Sequence, residues 1–157
     1  MRKITAILIA TAMACAFAPL VGAGTTDTIV VTLSPSATAS ISVDQSIWSP
    51  VCKLGETNST SATWATITNN GDINVRVDIN ASNTESWTIA GSAGHDQFKL
   101  ETLRIALTLT ASPQTFIANL PSDGGNTAQF GLKVTMPTTS SSSNTQHLTI
   151  TFTATAL

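Results

Sequence analysis

Apolar and polar residues alternate with a period of two along most of this chain. In residues 73–81, Ile73, Val75, Val77 and Ile79 fall on one side and polar residues on the other. Successive side chains of a β-strand point to opposite faces, so this pattern predicts a strand with one buried and one wet face. No stretch of a dozen residues carries the apolar stripe of a helix, so we expect helices to be minor.

Further segments show the same alternation or a short strand-like run between turn residues. They are residues 28–34, 38–44, 62–68, 85–90, 96–101, 103–110, 114–120, 127–136 and 147–156. The cluster Asn69-Asn70-Gly71-Asp72 contains residues that accept positive φ, which predicts a β-hairpin around it. Turn signals recur at near-regular spacing. We therefore predict an all-β protein, a two-layer antiparallel β-sandwich of jelly-roll or Ig-like type with about 8–10 strands.

The first 23 residues have a different character. Arg2 and Lys3 are followed by an uncharged run over residues 4–21, which ends in small residues at Gly22 and Ala23. This order predicts a helical secretory signal over residues 1–23 that is cut after Ala23. A retained membrane anchor and a lipoprotein modified at Cys15 are the alternatives. Removal of the signal leaves residues 24–157, which is the length of one ordinary domain.

Composition narrows the class of protein. Charged residues make up only 10% of the chain and the formal net charge is −2, which argues against a nucleic-acid or anionic-lipid partner. Roughly a sixth of the residues are Thr, which is β-branched and covers a sheet with neutral hydroxyl groups. Such a surface suits an extracellular protein and permits close packing against neighbours. Residues 24–157 contain no apolar run of bilayer length, so we expect no membrane span there.

The chain offers little for catalysis. Cys52 is the only cysteine after residue 23, so it is either a buried thiol or pairs between chains. His95 and Asp96 are adjacent, and in an extended chain they would point to opposite faces and would not converge. His147 is predicted to be exposed at the start of a strand. Asp123 precedes two glycines and marks either a plain turn or a weak cation site. No catalytic residue, metal or cofactor is expected, and the protein is predicted not to be an enzyme.

Three tryptophans and two asparagines are candidates for binding or modification. Trp48, Trp64 and Trp87 are expected to fill the core of the sandwich, with a sugar-stacking platform as the alternative. Asn58, read as part of a loop, and Asn80, on a predicted polar face, match the N-glycosylation pattern.

The feature that indicates a function is the segment directly after the predicted cut. An apolar strand is expected there, made of Thr28, Ile29, Val30, Val31, Thr32 and Leu33. A strand on a short tether can pair within its own subunit or add to the sheet of a neighbour, where the same hydrogen bonds and apolar pockets are available. Head-to-tail donation does not close on itself, so it builds a filament.

The layout resembles that of secreted β-sandwich fibre subunits, namely the archaeal bundling pilins and the TasA-type biofilm matrix proteins of bacteria. The residues that carry the resemblance are TIVVTLS after the signal, ITNNGDINVRVDI, FGLKVTMP and the terminal LTITFTATA. The resemblance implies a jelly-roll-like subunit whose N-terminal strand, here residues 28–33, completes the next subunit. It implies no metal requirement.

Two functions remain open at this point. The first is a secreted, cell-surface subunit of a filament, pilus or surface layer that polymerises with itself head to tail. The second is a monomeric secreted module that binds a carbohydrate or another surface ligand through its loops and tryptophans. Other surface proteins or glycans are further partners that the first function would allow.

Overall fold

A computed structural model describes Thr32 and residues 37–122 and 126–157. These residues form ten strands. They are β1 (Ile41–Val43), β2 (Thr57–Ser59), β3 (Ala65–Asn69), β4 (Val75–Ala81), β5 (Thr88–Ile89), β6 (Gln97–Thr102), β7 (Gln114–Leu120), β8 (Thr127–Phe130), β9 (Leu132–Thr135) and β10 (Ile150–Ala156). The described part of the chain contains no helix, and thus none that could cross a membrane. The all-β prediction is confirmed for these residues. The predicted signal over residues 1–23, Asp123 and all of the strand over residues 28–33 except Thr32 lie outside them.

The strands form three sheets, with the orders β1-β3-β8, β2-β9-β6-β5 and β10-β4-β7. The first two sheets are connected through the same two stretches of chain. β2 is followed by β3 along one stretch, and β8 is followed by β9 along the other. β2 pairs with β9, and β3 pairs with β8. The two ladders are offset at Gly131. A Cβ atom at this position would overlap the carbonyl oxygen of Ser61, so the close approach requires glycine.

The apolar core lies between this double ladder and the sheet β10-β4-β7. Every inward-facing residue of the central strand β4 is fully buried, namely Val75, Val77, Ile79 and Ala81. Phe130 of β8 packs against Phe116 of β7 and Phe152 of β10, with ring centroids 5.6 and 5.4 Å apart. The arrangement is consistent with a β-sandwich, in which side chains from facing sheets interdigitate.

The hairpin predicted around residues 69–72 is wrong, because β3 and β4 lie in different sheets. Asn69 is fully buried, and its side-chain nitrogen donates to the carbonyl oxygens of Ile73, Leu120 and Pro121, each at 3.0 Å. Its Oδ1 accepts from the backbone N–H of Gly71 at 2.9 Å. These bonds hold a crossing between sheets, and the cluster makes no tight two-residue turn.

The strand predicted over residues 103–110 is also wrong. The chain reverses there, with the N–H of Thr102 donating to the carbonyl of Leu107, and Ala106 takes a left-handed φ of 51°. Leu109 then pairs back onto Leu100 and is fully buried, whereas Ile105 is 51% exposed at the tip. The regular spacing of apolar residues over 103–110 therefore comes from a turn followed by a segment that runs back beside β6, and not from one strand.

β5 and β6 pair in parallel, which departs from the predicted antiparallel arrangement. The turn between them ends at Asp96, whose φ of 52° returns the chain beside Thr88 in the same direction. Because this residue is not extended, His95 Nε2 and Asp96 Oδ2 lie 3.4 Å apart, and the prediction that the two side chains would not converge is wrong. β2 had no counterpart in the predicted set, and β10 begins three residues later than predicted.

Candidate functional site

The strand β10 is an edge strand whose inner face is incompletely covered. Within the described residues it pairs only with β4, in the register Ile150↔Ala81, Phe152↔Ile79 and Ala154↔Val77. The β4 member of each pair is fully buried, yet Ile150, Phe152 and Ala154 are only half-buried. Paired residues on one face of a sheet differ in this way when the outer strand lacks a neighbour on its far side. Among the described residues, β10 therefore has one edge without a partner strand, beside core side chains that are only partly covered.

A cavity of about 850 Å³ opens next to this edge. Its floor reaches the buried core, with Phe98, Leu100 and Phe130 at 1–2% exposure. Ile150 and Phe152 of β10 lie along one side, and residues 45–52, which follow β1, lie along another. We call this feature the β10 groove. Its floor is hydrophobic and one wall is the edge strand β10, so it suits an extended apolar chain.

The three tryptophans meet at the β10 groove. Trp48, Trp64 and Trp87 are all half-buried, pack against the core and line the cavity. The rings of Trp48 and Trp64 lie 6.2 Å apart at 51°, a tilted arrangement common for aromatic pairs. The three tryptophans therefore pack against the core, as expected from the sequence, and also line the groove, where a binding role would place them.

The lining of the groove is neutral. None of its residues is Asp, Glu, Lys or Arg, and His147 is the one histidine among them. Cys52 also lines it as a half-buried free thiol. Burial, and secondarily the negative charge of Glu56, raises the pKa of this thiol, so it is predominantly protonated at neutral pH. An apolar, uncharged ligand matches this environment.

Residues 140–148 form a loop at the rim of the groove and are fixed by hydrogen bonds. Gln146 Oε1 accepts from the hydroxyl of Thr84 and from the backbone N–H of Ser86, both at 2.8 Å. The indole N–H of Trp87 donates to Ser140 Oγ at 2.7 Å. The segment around β5 therefore positions this loop, although the loop has no regular secondary structure.

Two carboxylates fix the same loop. Glu85 accepts from the backbone N–H of His147 at 2.9 Å, and this bond lowers the pKa of Glu85. Asp96 accepts from the hydroxyl and the backbone N–H of Ser141 at 2.6 and 2.8 Å, which lowers the pKa of Asp96. Each bond favours the ionised form, so both contacts are strongest when the carboxylates are charged.

The other residues singled out from the sequence lie away from the groove. Asn58 is the half-buried central residue of β2, in a strand rather than a loop. Asn80 lies on the outer face of β4, where its side chain donates to the carbonyl of Ala111 at 3.4 Å. His95 is exposed and bonds to Thr139. In the described part of the chain, no cluster of three or more His, Cys, Asp or Glu residues is arranged to hold a metal ion.

Two components of the site were not found from the sequence. The segment 147–156 was read as a strand without any sign that its far edge would be free. Residues 45–52 match none of the predicted strands, although the apolar residues Ile47, Trp48 and Val51 lie close to Pro50 in the sequence. The signal for this segment in the sequence was a run of apolar residues that contains a proline and does not alternate like a strand.

Comparisons with known protein families, with curated proteins and with solved structures found no match for this chain.

Proposed function

We propose that this protein is a secreted structural subunit of an extracellular filament or surface layer, in which each subunit donates residues 28–33 to the β10 groove of the next. In this proposal residues 1–23 are the export signal, and the fold is a two-layer jelly-roll-like sandwich that lacks one strand beside β10. The observation that carries it is the contrast between the half-buried inner face of β10 and the fully buried inner face of β4.

The size of the groove supports a single strand as the occupant. Its cavity of about 850 Å³ is within the size range of pockets that bury most of a bound ligand. β10 has seven residues, long enough to pair with the whole of residues 28–33.

The chemistry of residues 28–33 also fits. The segment carries no charge, and Ile29, Val31 and Leu33, or alternatively Val30 and Thr32, would face the groove. Each apolar side chain that becomes fully buried contributes about 1.5–3 kcal/mol. Since the groove is uncharged as well, neither partner has to desolvate an ion on binding.

The same segment of the same chain is the competing occupant. Thr38 bonds to Asp72 in the crossing between β3 and β4, and Leu157, directly after β10, donates to Asn74 in that same crossing. Thr38 therefore lies near the C-terminal end of β10. Donation to a neighbour is favoured by the neutral, Thr-rich surface, which offers little charge repulsion between subunits.

The first prediction tests strand donation between subunits by introducing charged residues into the donor segment, residues 28–33. The full chain is expressed, and the exported protein is compared with a Val30→Asp/Val31→Asp variant by light scattering and electron microscopy. Both registers of the strand would then carry a carboxylate into an apolar groove, so we expect the variant to remain monomeric while the wild type forms filaments.

The control is Thr25→Asp/Thr26→Asp, which adds the same charge just outside the donor segment and is expected to leave filaments intact. Far-ultraviolet circular dichroism checks that all three proteins keep their β-structure. A wild-type protein that stays monomeric at high concentration would contradict the proposal, as would filaments of the Val30→Asp/Val31→Asp variant.

A second candidate function is supported by the convergence of Trp48, Trp64 and Trp87 on one groove. Aromatic rings at a neutral cleft are suited to stacking on sugars, so the alternative is a monomeric carbohydrate-binding module. It predicts saturable quenching of tryptophan fluorescence by an oligosaccharide and no polymer at any protein concentration. Neither function requires a catalytic residue or a cofactor.

A further inference from the structure

Residues 45–52 line the β10 groove, as Ile150 and Phe152 of β10 do, and have an unusual backbone. They belong to no helix or strand. Neither their N–H nor their C=O groups form a hydrogen bond with any other described residue. The residues on both sides of the segment do form hydrogen bonds. Asp44, before it, bonds to Thr66, and Lys53, after it, bonds to Glu56. A row of backbone groups without protein partners is what an edge strand presents.

From Ile47 to Cys52 the exposure of the side chains alternates like that of a strand, whereas Gln45 and Ser46 are both exposed. Trp48, Pro50 and Cys52 are half-buried and line the groove. Between them lie Ser49 and Val51, which are exposed, Val51 to 92%. A period of two is the signature of an extended chain with one covered face. Residues 47–52 are therefore arranged like an extended chain beside the groove, and they pair with no strand among the described residues.

We propose that the donated strand pairs on both sides, with β10 along one edge and with residues 45–52 along the other. This inference rests on the proposed function and adds a second binding partner within the acceptor subunit. The occupant is residues 28–33 of another copy of this chain. Its backbone groups alternate between its two edges, so pairing with β10 alone would leave half of them unbonded.

Two-sided pairing has a structural consequence. The donated segment would be an internal strand, and residues 45–52 would become a new edge strand that connects β1 to β2. The added strand would link β10 to residues 45–52 across the groove. The free edge would then move from β10 to the outer side of residues 45–52, away from the apolar groove.

The test is hydrogen exchange measured by mass spectrometry on the full-length Val30→Asp/Val31→Asp variant, with and without a synthetic peptide of residues 28–34. The peptide supplies the strand in trans. We expect it to slow amide exchange in residues 46–52 by roughly tenfold or more, and to slow exchange in residues 150–156 similarly. Residues 103–107, which lie in a distant turn, serve as the internal reference. The control is the same peptide with Asp at positions 30 and 31, which should protect neither segment.

The outcomes separate this inference from the proposed function. Protection of both segments supports two-sided pairing. Protection of residues 150–156 alone, together with wild-type filaments, overturns two-sided pairing and leaves strand donation intact. No protection of either segment, together with a monomeric wild-type protein, overturns both.

Discussion

At the scale of single residues, Asn69 shows how one polar side chain can determine the path of the chain. Its amide occupies a fully buried position between β3, the crossing to β4 and the end of β7, and it satisfies four backbone groups from these segments. No apolar residue of similar size could do this. The same amide explains why an Asn-Asn-Gly-Asp cluster, which in many chains marks a hairpin, here marks a change of sheet.

We predict that Asn69→Ala lowers the free energy of unfolding by about 2–4 kcal/mol, because it leaves buried carbonyl groups without donors. The neighbouring variant Asn70→Ala is the control, since Asn70 is exposed and bonds only to Ser42 Oγ by its side chain. Its expected cost is under about 1 kcal/mol. Urea unfolding followed by fluorescence measures both values, and equal costs for the two variants would contradict the role assigned to Asn69.

At the scale of elements, the loop over residues 140–148 is an irregular segment that is held by side chains from elsewhere. The carboxylates of Glu85 and Asp96 bond to the amides of His147 and Ser141. Because the pKa of each carboxyl is lowered in the folded protein, its contribution is fully present above the ordinary values of 4.5 and 3.8. That contribution is lost as pH falls through the lowered folded values.

We therefore predict that the loop is released in acid, below about pH 4. The measurement is an NMR titration of the Ser141 and His147 amide resonances, which should shift as their acceptors become protonated. His95 and His147 also lie beside these carboxylates, so the assignment is made with a Glu85→Gln/Asp96→Asn variant, in which the acid transition should disappear. Glu101→Gln is the matched control. Glu101 also has a lowered pKa, caused by its bonds to Lys133 and Lys99, but it lies away from the loop. A transition that survives in the double variant would show that other groups fix the loop.

The strands themselves differ in how well the sequence predicts them. β7 coincides with the predicted segment 114–120, and β4 lies within residues 73–81, because period-two alternation and flanking turn residues agree there. Residues 103–110 alternate equally well, yet the left-handed conformation of Ala106 makes a turn that no glycine or asparagine announces. β2 was missed because Thr-Asn-Ser carries no apolar pattern, and it is a strand only through its pairing with β9.

The candidate site was less predictable than the strands for a related reason. Trp48, Trp64 and Trp87 come from separate segments, and only the tertiary fold brings them to one groove. The free edge of β10 depends on which strands pair, and local sequence does not encode strand order. The alternation of residues 28–33 predicts a strand from the sequence alone, whereas the proposed acceptor site follows only from the contrast in burial between β10 and β4.

At the scale of the whole molecule, the described strands are consistent with a sandwich that is closed on one side and open on the other. On the closed side, residues 107–110 connect the sheets, since Leu109 donates to Leu100 of β6 and Thr110 accepts from Ala81 of β4. On the open side, β10 and residues 45–52 border the groove with no strand between them among the described residues. Under the proposed function, such a subunit would gain apolar burial when a neighbour supplies a strand, and that neighbour would extend the filament without closing it.

The most direct test is a cryo-electron microscopy map of the assembled wild-type protein in which the path of every strand can be traced. Strand donation predicts one additional strand beside β10. It would be made of residues 28–33, and the chain that follows it would lead into the sheets of an adjacent subunit. A strand beside β10 that continues into the Ala37 of its own subunit would contradict the account, as would a groove that stays empty in the assembled protein.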